Sequence, residues 1–392
     1  MRANRRRFEP AEFDARQEKV RRAMSERGIE LLILTNPSNM CWLSGFDGWS
    51  FYVHQCLVIG TDGELFWFGR GIDAPTARMT TDLPDADVVA YPDHYVQSAE
   101  RHPMDFLSQI IKQRGLDKKH IGVEKDNYFF TARAMESLQT HLTQAHFSDA
   151  TWLVNWQRAI KSPQELVYMR RAGLVIEEMY KRVIEVAEPG MRENELAGEI
   201  MYASARGTPE VYGDYPAIVP LMGRGDEAAA CHLTWNDGIL NNNEGMFLEL
   251  AGAHARYHCP VSRTLYFGEP PEKYRRIEAV ILEGISKTLE MFKPGNTCGE
   301  VASTFFDVLH KHGYEKDNRC GYSIGLSYPP DWGEHTMSLR SDDRAVLQEN
   351  MTFHFMPGMW FEDWGFETTE SVLVTAQGGE CLSNVPRKLL VK

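Results

Sequence analysis

At 392 residues the chain is too long for one ordinary core, and at roughly 150 residues per domain it divides into two or three units, two being the working number. Lysine plus arginine number 42 against 55 aspartate plus glutamate, and the net charge of −13 excludes nucleic acid or an anionic membrane as the main partner. A small molecule or a second protein chain fits that balance.

Seven cysteines stand apart without CxxC spacing, which suits reduced thiols in the cytoplasm. The opening MRANRRRFEP is basic but has no apolar segment behind it, and no stretch approaches about 18 consecutive apolar residues. Neither export nor membrane insertion is expected.

In chain order, residues 11–28 read as a helix with Phe13, Val20 and Met24 on one side, ending at Gly28. The apolar run Leu31–Leu34 closes in an Asn-Pro-Ser-Asn turn, and CLVIG and ELFWFG follow as strands. Ahead of CLVIG lies an aromatic loop, FDGWSFYV, carrying Phe46, Trp49 and Tyr52, whose rings fill either a core or an interface. A helix from about Pro103 to Arg114, the strand HIGVEKD and a helix near Ala132–His141 complete an α/β alternation. The stretch from about Ala150 to Ile160 is the expected crossing between a first domain, 1–155, and a second, 156–392.

The second domain opens on Ser162-Pro163-Gln164-Glu165, with Ser at the N-cap, Pro at N1 and Glu at N3, ahead of an amphipathic run to about Ala187. PGMRENELAGEI and PGNTCGEVASTF then echo one another: each places Pro-Gly after a helix and Glu-x-Ala at the start of the next, which points to an internal duplication. A further helix is expected from about Pro271 to Phe292. Three segments mix strand-like alternation with titratable groups: GYSIGLSYPPDWGEH, MTFHFMPGMW and FETTESVLVT.

Within GMFLELAGAHARYHCPVSRTLYFG a single carboxylate, Glu249, interrupts an apolar run from Met246 to Ala251 that reads as a strand buried on both faces. Burying a lone carboxylate costs several kcal/mol unless it is paired or neutralised, by roughly the desolvation of one ion. Either it forms a structural ion pair with a group such as Arg263, or it serves chemistry, and the second reading is preferred.

The order KSPQELVYMRRA, PGMRENELA, a His after a small-residue run, FLELAGA…SRT, GYSIGL, FHFMPGM and ESVLVT resembles the pita-bread superfamily of creatinase, prolidase and methionine aminopeptidase. The resemblance implies an α/β (α+β) chain: an N-terminal creatinase-type α/β domain followed by a pita-bread domain with pseudo-two-fold duplication. Metallopeptidase members hold two metal ions through five ligands (Asp, Asp, His, Glu, Glu). Aligned on Arg263-Thr264, those positions fall on Glu249, Pro260, Tyr322, Met356 and Thr369, with Glu367 and Glu370 on either side of the last. The resemblance therefore implies a member without metal or other cofactor, whose site is rebuilt for organic groups. FDGWSFYV together with GYSIGLSYPPDWGE is similar to the ectoine hydrolase branch, which implies a small zwitterionic substrate, ectoine, and a deacetylase acting on the product.

A cyclic amidine offers a delocalised cation and a carboxylate, so its site needs carboxylates and aromatic faces for the first and Arg or backbone amides for the second. Hydrolysis needs one nucleophile or base and one acid. Glu249 is assigned the attack, directly or through water, and His232 the proton shuttle, a satisfied core histidine being the alternative for His232. Glu367 and Glu370 are expected to hold the amidinium nitrogens and Tyr322 to donate or line the pocket. Trp332, in the proline-stiffened loop with Glu334, is expected to cover the cation. His354 and His258 read as supporting groups. As creatinase-like relatives close the site with a partner's N-terminal domain, Phe46, Trp49 and Tyr52 are expected to reach across a homodimer. Two rival readings stand beside this one: a metal-dependent Xaa-Pro aminopeptidase, and a non-catalytic ligand-binding member.

Overall fold

The structure, a computed structural model, describes residues 7–392; the basic start Met1–Arg6 lies outside the described residues. The chain divides into two compact units at Arg158/Ala159. The stretch read as the crossing is itself ordered: Leu153–Arg158 is a helix of the first unit, anchored by Arg158, whose guanidinium donates to Asn39 Oδ1 at 2.7 Å.

The first unit carries one six-stranded sheet. Its strands are β1 (Leu31–Leu34), β2 (Cys56–Gly60), β3 (Leu65–Arg70), β4 (Val88–Tyr91), β5 (His120–Val123) and β6 (His146–Asp149), in the order β4-β3-β2-β1-β5-β6. β1 pairs antiparallel with β2 and parallel with β5, the mixed pattern of a sheet packed on both faces. Leu31, Ile33, Val58, Phe66 and Phe68 pack with Leu107, Ile111 and Leu138 of the helices Pro103–Gln113 and Ala132–His141. The first helix runs Pro10–Glu26 and stops at the left-handed Gly28 (φ +65°).

The second unit repeats one motif: a long helix, a Pro-Gly turn, a second helix, then strands. Pro163–Val186 is followed by Glu193–Arg206, and Glu272–Leu289 by Cys298–Lys311. Gly190 and Gly295 occupy corresponding turns at φ +96° and +97°, a region where a side chain would clash, so the two Pro-Gly signals mark one geometry used twice. The capping box at Ser162 is formed, Ser162 Oγ accepting from Glu165 N and Glu165 Oε2 from Ser162 N.

The first copy feeds a four-stranded sheet of β7 (Leu221–Arg224), β8 (Glu244–His254), β9 (Tyr257–Phe267) and the C-terminal Leu390–Val391. The second feeds a five-stranded sheet. It contains β10 (Gly321–Ile324), β11 (Gly333–Ser338), β12 (Thr352–Phe355), β13 (Glu370–Thr375) and β14 (Gly378–Cys381), in the order β11-β10-β12-β13-β14. Its apolar side packs Phe353, Phe355, Val372 and Val374 against Ile281, Ile285 and Phe305 of the helices.

β8 and β9 form a fully paired hairpin, buried along both strands except at Glu244. The helix Pro163–Val186 lies directly on it. A methyl at Gly252 would come within 2.2 Å of the Ala172 carbonyl, so glycine permits the approach. Tyr180, on the same helix, donates its hydroxyl to the Leu248 carbonyl at 2.7 Å, pinning the residue next to Glu249.

Candidate active site

A pocket of about 430 Å³ opens in the second unit, within the range of small-molecule sites. Glu249 supplies a carboxylate from β8, Tyr322 a phenol from β10, and His232, Asn318 and Arg319 approach from loops. Trp360 and Met356 form an apolar wall.

Glu249 is 4% exposed, and among the described residues no protein donor bonds its carboxylate. Arg263, the partner expected for a structural pair, turns elsewhere: it bonds Glu370 and the carbonyls of Ser262, Thr369, Val385 and Pro386. Burial, and then the charge of Glu367, push the Glu249 carboxyl well above the ordinary carboxylate range. A carboxylate left unpaired in this way is available to a ligand.

Glu367 does not line the pocket, contrary to the expectation that it grips the substrate directly. It is fully buried behind Trp360, whose indole Nε1 donates to Glu367 Oε1 at 3.0 Å. Burial raises its carboxyl to about 7, although Ser262, Trp360 and Lys316 pull the other way. Among the described residues no donor completes a hydrogen bond to its Oε2. Glu367 therefore acts on the pocket by charge and through the tryptophan it holds.

Glu370 is also corrected. It faces the opposite side of the strand, where Arg263 Nη2 and Arg387 Nε donate to its Oε1 at 2.7 and 2.9 Å. Alternation explains this: Glu367 and Glu370 are three positions apart in an extended segment, so their side chains fall on opposite faces.

Trp332 does not cover the pocket. It is 1% exposed and donates its indole N–H to Tyr322 Oη at 2.7 Å, so it fixes the phenol rather than a ligand. His354, cross-strand from Tyr322, places Nδ1 3.1 Å from the same oxygen and Nε2 2.8 Å from Thr369 Oγ1. Burial, then the charge of Arg319, lower its imidazole to about 3. It is a supporting group, but fully buried on a central strand and not at a sheet edge.

His232 is exposed at the pocket wall beside Cys231 and is not a core histidine. Arg319, which sequence reading did not single out, stands 4.5 Å over the Tyr322 ring, with Nη1 donating to Ser338 Oγ at 3.0 Å. No carboxylate lies within ion-pair distance of it among the described residues; Asp331, a carboxylate of the same pocket, feels its charge but pairs with His335 at 2.7 Å, which leaves the guanidinium open to an anionic ligand. Its only signal in the sequence is that it precedes Tyr322 by three positions.

The aromatic loop of the first unit splits. Phe46 is 2% exposed and packs 5.4 Å from Trp67, so it belongs to that unit's core and cannot reach a partner. Trp49 and Tyr52 are 58% and 67% exposed.

The positions that the resemblance assigns to the superfamily's metal ligands carry a carboxylate (Glu249), an imino acid (Pro260), a phenol (Tyr322), a thioether (Met356) and a hydroxyl (Thr369). No cluster of three or more His, Cys, Asp or Glu side chains able to hold a metal ion occurs among the described residues. These side chains do not fit a two-metal centre, which needs several hard oxygen and nitrogen donors.

Two family models match this chain: the creatinase/prolidase N-terminal domain over residues 16–160 and metallopeptidase family M24 over residues 167–376. The chain belongs to metallopeptidase family M24. It is 50% identical over 392 aligned residues to an ectoine hydrolase of Halomonas elongata, with 98% of each chain covered. It is 42% identical to an uncharacterised hydrolase/peptidase of Sinorhizobium fredii, again with 98% of each covered. In fold it is similar to a recombinant prolidase from Thermococcus sibiricus, at a TM-score of 0.84 and 18% identity over 97% of this chain and 99% of that one.

Proposed function

We propose that the chain hydrolyses the cyclic amidine of ectoine, opening the ring to N-acetyl-2,4-diaminobutyrate, and does so without a metal ion. The observation that carries this reading is the pairing, in one pocket, of a carboxylate with no protein donor (Glu249) and a guanidinium with no carboxylate partner (Arg319). A zwitterion with an amidinium and a carboxylate satisfies both at once. The likeness to the Halomonas elongata protein supports the same substrate.

In the free pocket burial, and then the nearby Glu367, favour the protonated form of Glu249. An amidinium entering beside it reverses that balance and favours the carboxylate. Glu249 then deprotonates a water that adds to the amidine carbon, or it attacks that carbon itself to give an acyl-type intermediate that a water afterwards hydrolyses, restoring the carboxylate. One ring C–N bond breaks, one water is consumed to leave the acetyl carbonyl, and the leaving nitrogen takes a proton from His232. Trp360 and Met356 keep the reacting carbon against an apolar wall.

Metal independence rests on the donor set at the superfamily's ligand positions. The remaining parts of the proposal are a homodimer, with the exposed Trp49 and Tyr52 completing the partner's pocket, a cytoplasmic location suited to the free cysteines, and a deacetylase downstream. No helix among the described residues is long and apolar enough to cross a membrane.

The test is direct: protein dialysed against a strong chelator is incubated with ectoine, and product is followed by mass spectrometry. Undiminished ring opening is expected. Loss of activity on chelation, restored by manganese or zinc, sinks the metal-free reading, and no product under any condition sinks the substrate assignment.

A further inference from the structure

Three buried side chains, the half-buried Tyr322 and one backbone amide form an unbroken chain of hydrogen bonds that ends on the pocket. Ser262 N donates to Thr369 Oγ1 at 2.7 Å, Thr369 Oγ1 lies 2.8 Å from His354 Nε2, His354 Nδ1 lies 3.1 Å from Tyr322 Oη, and Trp332 Nε1 donates to that same oxygen at 2.7 Å. Thr369 and His354 are fully buried, Trp332 nearly so, and these contacts are all the hydrogen bonds that the four side chains make among the described residues.

The proton positions follow from counting. A backbone N–H and an indole N–H can only donate, so Thr369 Oγ1 and Tyr322 Oη each accept one bond at the outset. A neutral imidazole has one donor and one acceptor, which leaves two arrangements. In one, Thr369 O–H donates to His354 Nε2, His354 Nδ1–H donates to Tyr322 Oη, and the Tyr322 proton is free to point into the pocket. In the other, Tyr322 O–H donates to Nδ1 and Nε2–H to Thr369, whose own hydroxyl proton is then buried with no acceptor. The second leaves an unsatisfied donor in a dry interior, and the first leaves none.

We infer that the Ser262–Thr369–His354 chain, with Trp332, locks Tyr322 as a one-way hydrogen-bond donor to whatever occupies the pocket. Tyr322 accepts two N–H bonds, so its lone pairs are used and only its proton is offered. It stays protonated while it does so, since burial and then the nearby Glu249 push the phenol well above its ordinary value. On the proposed reaction, the phenol holds the oxygen that adds to the amidine carbon. His354, Thr369 and Trp332 are positioning residues that touch no substrate.

The kinetic part of this inference rests on the proposed reading of the pocket; the tautomer part does not. The first experiment therefore uses the full chain without substrate: 15N NMR of histidine-labelled protein, with His354 assigned by its loss in His354→Gln. A proton on Nδ1 and a bare Nε2 are expected. A proton on Nε2 overturns the lock, whether or not the protein turns over ectoine.

The second experiment compares Thr369→Val with Thr369→Ser. Serine keeps the hydroxyl and is expected to retain kcat within about threefold, while valine is expected to lower kcat by about tenfold or more with little change in KM. In a Tyr322→Phe background, Thr369→Val is expected to have no further effect on kcat, because the phenol through which it acts is gone. An equal loss in both backgrounds assigns Thr369 a merely structural role and overturns the inference. Should Thr369→Val fail to fold, the NMR measurement on the unmodified chain still decides.

Discussion

Arg263 and Glu370 form a fully buried ion pair, Nη2 to Oε1 at 2.7 Å, on the far side of the strand from the pocket. That contact settles the competition for Arg263 and leaves Glu249 without a cation of its own. The pair holds the C-terminal segment down as well, since Arg263 donates to the carbonyls of Val385 and Pro386. Glu370→Ala leaves the guanidinium uncompensated in the interior, and a loss of about 3–5 kcal/mol in stability is expected. Thermal unfolding measures it. The folded fraction should keep its KM for ectoine, and a raised KM with unchanged stability would return Glu370 to the substrate.

Glu249→Gln keeps the size of the side chain and removes its ability to ionise. Turnover of ectoine is expected to fall by roughly 10²–10⁴-fold, the usual contribution of a positioned acid–base group. Binding of ectoine, followed by calorimetry, should weaken as well, because the carboxylate that answers the amidinium is gone. Unchanged turnover in this variant would remove Glu249 from the chemistry.

How much of this was legible in the sequence differs residue by residue. Glu249 stood out because a charge in a doubly buried strand is costly wherever it occurs, and the two Pro-Gly turns because one backbone geometry demands one residue type twice. The division of labour between Glu367 and Glu370 was half visible, since strand alternation separates their faces but does not say which face meets an arginine. Phe46, Trp49 and Tyr52 were indistinguishable by composition, as burial of a ring depends on what the other strands bring to it; here Trp67 takes Phe46. Arg319 and Trp360 were missed because their importance arises from partners distant in sequence: the Tyr322 ring beneath one and the Glu367 carboxyl behind the other.

Arg319 offers its guanidinium to the pocket while its edge is steadied by Ser338 and its plane by Tyr322. If it takes the substrate carboxylate, Arg319→Gln should raise KM about 10–100-fold with kcat within a few fold, the loss of one charge-assisted contact. A carboxamide analogue of ectoine separates this from general damage. The unmodified enzyme should discriminate strongly against the amide, and Arg319→Gln hardly at all. Equal discrimination by both proteins would place the carboxylate elsewhere.

The buried carboxyl of Glu367 makes stability depend on pH in an uncommon direction. Held at about 7 by burial against an ordinary value of 4.5, it keeps a proton that the unfolded chain has already released. Between those values the folded state binds more protons, so this group's contribution falls as pH rises through about 4.5 to about 7. His354, lowered to about 3, and His258, lowered to about 4, both chiefly by burial, work oppositely. Below their ordinary 6.5 the unfolded chain takes up protons that the folded state refuses, and stability rises with pH. The two slopes offset one another over the shared window. Glu367→Gln deletes the falling one, and Trp360 can still donate to the amide oxygen. The variant should match the unmodified protein near pH 5 and exceed it at pH 8 by on the order of 2–3 kcal/mol, as denaturant titration at each pH would read. A difference that does not grow between those two conditions would show that Glu367 ionises in the fold without strain.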